Sequence, residues 1–169
     1  MAKPEKVYWD SCAWLGLANG EQSRVHDLDS IYTLARDGGV EIWTSTMSIV
    51  EVNRLSAEMM QPKPIPPDSL SVLDDLFFQP FIKLVPLDTP ISRLARKLIR
   101  ETPKLRKRPD AVHLATAMFW NIPTLFTYDA DDLLHLNGIL KCSDGTNLTI
   151  CEPGDSGLGG LFGKAQPAS

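Results

Sequence analysis

The chain has 169 residues, of which 43% are apolar and 22% charged, at a net charge of −4. This suits one soluble domain with a sizeable core, and no apolar run approaches the roughly 20 residues a membrane span needs. The net charge excludes a molecule that binds nucleic acid through its overall charge, so local clusters must carry any such role.

Cys12, Cys142 and Cys151 lack CxxC spacing, which gives no support for a zinc site and points to a reducing compartment. Residues Met1 to Lys6 are polar, with no apolar segment of a secretory signal behind them; the expected location is cytoplasmic.

Val7-Tyr8-Trp9 reads as a first strand with Asp10 at its end, and Ser11 as the cap of a short helix through Ala13 to Gly16. Asn19-Gly20 is a turn. Val25, Leu28, Ile31, Tyr32 and Ala35 show helical spacing between Ser23 and Asp37, and Gly38-Gly39 stops that helix. Val40 to Thr44 is a second strand, and Ser45 an N-cap for a helix that carries Glu51. Gln61 to Pro67 holds four prolines and must be a loop. Asp68 is expected to cap the helix through Phe77. Phe81 to Val85 is a third strand, and Thr89-Pro90 opens a helix that runs to about Arg100. The basic loop from Lys104 to Arg108 leads into a helix that Asp110 opens. Ala111, Leu114, Ala115 and Met118 form its apolar stripe, Asn121 ends it and Pro123 prevents its continuation. Thr124 to Thr127 is a fourth strand and Leu148 to Cys151 a last one. Residues 1–152 are expected to form the domain, and 153–169 a flexible C-terminal tail.

Strands alternate with helices throughout. The predicted fold is α/β, with a mainly parallel central sheet whose functional crevice lies beyond the carboxyl ends of its strands. Four acids fall at that edge: Asp10 after strand one, Glu51 in the helix after strand two, Asp110 at a helix start and Asp129 after strand four. Asp132 follows as a possible fifth. Each has a bland reading: Asp10 as a helix cap, Glu51 as a solvated residue, Asp110 as a favourable dipole partner, Asp129 to Asp132 as an Asx turn. Their joint placement is more telling. Carboxylates brought together raise one another's pKa, and a hard divalent cation with oxygen ligands, Mg²⁺ or Mn²⁺, removes that cost.

VYWDSCAW, TSTMSIVEVNR and RPDAVHLATAMFWNIPTLFTYDADDL together resemble the PIN domain, the fold of the toxin subunits in VapBC-type toxin–antitoxin pairs. The resemblance spans about residues 5 to 151. It implies a PIN-like α/β/α sandwich and a metal-dependent endoribonuclease. In that reading Asp10, Glu51, Asp110 and Asp129 are catalytic. Asp10, Asp110, Asp129 and Asp132 hold the metal, and Ser11 and Thr127 contact ligand or substrate. It also implies an RNA substrate, an antitoxin partner and a homodimer. Leu133 departs from the phenylalanine more usual after the last acid. Lys104, Arg106, Lys107 and Arg108 are expected at the rim of the acidic pocket, where they would hold RNA phosphates; their bland reading is solvated charge. His113 reads as a packed histidine inside its helix.

Two rivals fail on residues. A haloacid-type phosphotransferase needs an Asp where Cys12 stands, and the Asp129-Ala-Asp131 tripeptide of some sugar-nucleotide transferases is weak alone. The remaining alternatives are a PIN-like module that binds RNA or protein without cutting, and a housekeeping nuclease without an antitoxin.

Overall fold

The structure is a computed structural model, and residues 2–156 of it are described here. Five strands form one parallel sheet: β1 (Glu5–Trp9), β2 (Val40–Ser45), β3 (Ile82–Val85), β4 (Thr124–Phe126) and β5 (Thr149–Cys151), in the order β3-β2-β1-β4-β5. The central strand is β1, with Tyr8 in register with Trp43 on one side and Leu125 on the other. The helices are α1 (Ser11–Ala18), α2 (Val25–Arg36), α3 (Met47–Glu51), α4 (Leu70–Phe77), α5 (Thr89–Glu101) and α6 (Arg108–Phe119).

Two cores follow from the period-two alternation of β1. Val7 and Trp9 face the layer of α1, α2 and α4, where they meet Trp14, Leu28, Ile31 and Phe77. Tyr8 faces the opposite layer of α5 and α6, among Ile91, Leu98, Leu114 and Leu125. The result is an α/β/α sandwich. Trp14 is fully buried, so it is core and offers no partner surface. Its indole N–H donates to the Thr44 hydroxyl, which itself donates to the Trp9 carbonyl at 2.8 Å. The Ser48 hydroxyl, 2.7 Å away, must then donate to Thr44. One threonine thus ties α1, β1, β2 and α3 together.

Several helix starts differ from the sequence reading, by one or two residues. Asp10 itself caps α1, accepting from the Ala13 N–H, in place of Ser11. Asp88, one residue before Thr89, caps α5 by accepting from the Ile91 N–H. A carboxylate is the stronger acceptor for free helix N–H groups and suits the dipole, so it takes the cap from the neighbouring hydroxyl. Asp68 lies inside a 3₁₀ turn, Pro67–Ser69, and makes no capping bond for α4. Helix α6 begins at Arg108, so Asp110 is its third residue; Pro109 fits inside the first turn because its missing N–H would have no helical partner there. Pro153–Asp155 forms a 3₁₀ turn with Pro153 buried, so ordered structure reaches into the stretch read as tail. The rest of that stretch, 157–169, lies outside the described residues.

Asn121 ends α6 in the left-handed conformation, with φ of 52°. The Ile122 N–H bonds to the Ala117 carbonyl and the Asn121 N–H to the Met118 carbonyl, the two bonds of a Schellman motif. The Asn121 side-chain oxygen accepts from the Asp144 N–H at 2.8 Å. Asn121→Ala should therefore lower unfolding stability in urea by about 1–2 kcal/mol. Asn121→Gly should lie within about 1 kcal/mol of wild type, since glycine removes the left-handed cost while losing the side-chain bond.

Candidate active site

Parallel strands release their ends on one edge, and the acids collect there. Asp10 follows β1 directly, Glu51 ends α3 after β2, and Asp129 lies three residues past β4. Helix α6 brings Asp110 to the same place. Carboxylate oxygens of Asp110, Asp129 and Asp132 lie within 4.8 Å of one another. Like charges at that separation repel by about 3 kcal/mol per pair at an effective dielectric of about 20.

The three acids meet this repulsion differently. Asp129 accepts from the N–H groups of Asp131 and Asp132 through Oδ1 and from Lys107 Nζ through Oδ2, at 3.2 Å. Buried Asp132 has Lys107 Nζ at 2.7 Å and the Arg106 guanidinium at 3.4 Å; the Lys107 ammonium holds its carboxyl below the usual carboxylate range. Asp110 is buried with its Oδ2 unpartnered among the described residues. Burial, and then the charge of Asp129, push its carboxyl up to about 6. An all-oxygen cluster with one orphaned, buried oxygen matches a hard divalent cation.

Asp10 stands outside this tight triad. Its buried carboxylate is committed to the Ala13 N–H and the Thr127 hydroxyl, and burial raises its pKa. It still faces the same region, because its charge raises the pKa of Asp110. The Cys12 thiol is pushed up to about 12, first by burial and then by the charges of Asp10, Asp129, Asp110 and Glu51, so all four acids lie within electrostatic reach of it. Thr127 is buried and also accepts from the Asp129 N–H at 3.0 Å. It therefore links the carboxylate after β1 to the one after β4. Ser11 is half-buried at the start of α1.

The basic loop divides. Arg106 and Lys107, expected on the rim to meet substrate, are instead paired with the acids: the nearest cations neutralise crowded carboxylates when nothing else does. Lys104 and Arg108 are exposed, and Arg108 turns toward α5.

Residue His113 was underestimated from sequence. It is fully buried, with Nε2 at 2.6 Å from Glu51 Oε2 and Nδ1 at 2.7 Å from the Tyr8 hydroxyl. The Ser45 N–H donates to that same hydroxyl. A carboxylate only accepts, so Nε2 carries a proton; the phenol, one lone pair already used, donates to Nδ1. Burial raises the Tyr8 pKa far above its ordinary value and keeps the phenol neutral as that donor. The line Ser45–Tyr8–His113–Glu51 crosses β2, β1, α6 and α3. A signal was present: His113 lies three residues after Asp110, on the same helical face.

A PIN domain family profile matches residues 7–138, most of the chain. The chain belongs to the PIN domain family. This PIN domain resembles two solved structures at the level of the fold. One is Mycobacterium tuberculosis VapC20, described as a sarcin-ricin-loop-cleaving toxin, at 15% identity and a TM-score of 0.57, covering 74% of this chain and 91% of that one. The other is VapBC2 from Rickettsia felis bound to a promoter DNA fragment, at 12% identity and a TM-score of 0.55, covering 86% of this chain and 96% of that one. A search of curated proteins gave no match.

The metal-free PIN domain should show the cost at Asp110 directly. Its pKa of about 6 lies above the ordinary 3.8, so between those values the folded state binds the proton more tightly than the unfolded. Stability should fall as pH rises through that window and level off above it. Asp110→Asn should remove this part of the slope, read as the difference in Tm between variant and wild type from pH 4 to 7 in chelator. Parallel Tm profiles would refute the shift.

Proposed function

We propose that this PIN domain, read over residues 1–152, is a Mg²⁺- or Mn²⁺-dependent endoribonuclease and the toxin of a type II toxin–antitoxin pair. The observation that carries the reading is the Asp110–Asp129–Asp132 cluster, buried at Asp110 and Asp132, with its orphaned Asp110 oxygen, at the carboxyl edge of a parallel sheet in a PIN domain. Asp110, Asp129 and Asp132 would hold the cation, with Asp10 beside them. When bound, the cation lowers the pKa of water and stabilises charge on the scissile phosphate.

The chain's own residues supply the rest. Glu51, held by His113, would accept the proton of the attacking water as the water oxygen bonds to phosphorus; the bond to the leaving oxygen breaks, and that oxygen takes a proton from solvent. Asp10 and Thr127 fix the acidic wall opposite. A cation held by these acids would take over the charge that Lys107 and Arg106 now balance, and the two side chains would then be available to phosphate. No helix among the described residues is long and apolar enough to cross a membrane, in keeping with a cytoplasmic RNase. Restraint by an antitoxin and assembly as a homodimer both need an apolar surface. Val50, Met60, Val72 and Phe78 are exposed large side chains between α3 and the end of α4 and would supply one.

Purified protein should cleave RNA with Mg²⁺ or Mn²⁺, lose that activity in excess chelator and recover it when metal is restored. Undiminished cleavage in chelator would sink the mechanism. Asp110→Asn should lose about 100-fold or more in kcat while remaining folded. His113→Ala should lower kcat by roughly 10–100-fold with little change in KM, because Glu51 loses its orientation and not the substrate its contacts; His113→Gln, which can still donate to Glu51, should recover part of the loss. A drop confined to KM would show that His113 serves binding. Induced expression of the wild type, but not of Asp110→Asn, should arrest growth. Harmless expression of active enzyme would favour a housekeeping nuclease.

A further inference from the structure

Helix α5 carries charge that its own stability does not explain. Its buried residues Ile91, Ala95 and Leu98 face the core, while Arg93, Arg96, Lys97 and Arg100 are exposed. Arg96 and Arg100 are an i,i+4 pair of like charge, an arrangement that destabilises a helix. Lys97 has Glu101 at 4.0 Å, but among the described residues no acid pairs with Arg93, Arg96, Arg100 or Arg108. Residues 89–108 hold eight cations and one acid in a chain whose net charge is −4.

These arginines edge a groove between α5 and α6. It has a volume of about 450 Å³, an apolar floor that includes Ala95, Ile99 and Val112, and a rim of Arg96, Arg100 and Arg108. A second hollow, beside Arg93 and Arg96, continues it toward the start of α5. Helical rotation relates the groove to the acidic site. Arg108 and Val112 are four residues apart on one face of α6, while Asp110, about 200° around from Arg108, faces the acids. The groove and the acidic site therefore flank the first turn of α6.

We infer that the α5–α6 groove binds the backbone of single-stranded RNA beyond the scissile bond, with Arg96, Arg100 and Arg108 on successive phosphates. The inference rests on the nuclease reading and adds to it the place where the strand lies outside the acidic site. Arg96 and Arg100 are separated by about 6 Å along the helix axis, comparable to the spacing of neighbouring phosphates on a strand. Guanidinium groups take phosphate oxygens in bidentate fashion, and the apolar floor accepts the face of a sugar or base. RNA is favoured over an acidic peptide because the adjoining site is itself one for a phosphodiester, and one strand can occupy both.

The test compares the full chain with Arg96→Gln/Arg100→Gln, both in an Asp110→Asn background that does not cleave. The probe is a fluorescent single-stranded 12-nucleotide RNA, titrated across a salt series. Both arginines are exposed and repel one another, so the double variant should melt at the Tm of its Asp110→Asn parent or slightly above it. The double variant should bind about ten-fold more weakly at low salt, and its slope of log K against log salt should be shallower by roughly 1.4, the loss of two phosphate contacts on a single strand. With Asp110 restored, cleavage of a trinucleotide, too short to reach the groove, should change less than about two-fold while cleavage of the 12-mer slows. Equal affinity and equal slope in both proteins would overturn the groove alone. So would displacement of polyglutamate from the groove by the substitutions with RNA binding untouched, which would assign it to an acidic protein segment. Failure of the unsubstituted groove to bind any RNA would overturn the nuclease reading along with it.

Discussion

Carboxylates crowded at one edge of the sheet set the terms for the surrounding structure. Asp110, Asp129 and Asp132 place their oxygens within 4.8 Å of one another, and no arrangement of ionised acids alone is stable at that spacing. The fold answers with the cations at hand. Lys107 bridges Asp129 and Asp132, Arg106 adds to Asp132, and the backbone N–H groups of Asp131 and Asp132 bond to Asp129. Asp110 receives the least of this, and burial first and then the charge of Asp129 raise its pKa. Such a distribution is costly for a purely structural cluster.

Helix α6 makes this possible because it is used on two sides. Asp110 and His113 look toward the sheet edge, one into the acid cluster and the other onto Glu51. Arg108 and Val112 look toward α5. Ala111, Leu114 and Ala115 fill the core between. A helix with so many buried positions has little amphipathic contrast, and its chemistry is spaced by rotation: three residues apart for partners on one face, two for functions on opposite faces.

This explains what the sequence made legible. The order of strands and helices was readable, because β1, β2 and β3 are short apolar runs bounded by turns and the helices have clear apolar stripes. The acids were readable as a set because each lies near a strand end or a helix terminus: Asp10 and Asp129 after strands, Asp110 in the first turn of α6 and Glu51 in the last of α3. The capping details were not, since neighbouring hydroxyl and carboxylate residues, as at Asp10-Ser11 and Asp88-Thr89, both satisfy the local pattern and only geometry chooses. Lys107 could be placed near the acids but not on them: a flexible four-carbon chain reaches rim and centre alike. His113 was hardest. Its partners Tyr8 and Glu51 lie 105 and 62 residues away, and the three-residue spacing from Asp110 places it on the acid's helical face without saying which group it holds.

The two networks at the site have opposite characters, and the contrast bears on how it works. The Ser45–Tyr8–His113 part of the line is buried and anchored on a backbone N–H, and its short bond to half-buried Glu51 ties that carboxylate to β1, β2 and α6. The Lys107 and Arg106 contacts come from exposed side chains on a loop, and their charges are free to leave once the acids are otherwise neutralised. Support from several elements therefore lies under Glu51, and exposed, flexible-stemmed charge lies over the acid cluster. A buried lysine in place of Lys107 would have neutralised the acids permanently and closed the site. An exposed one neutralises them only until something better arrives.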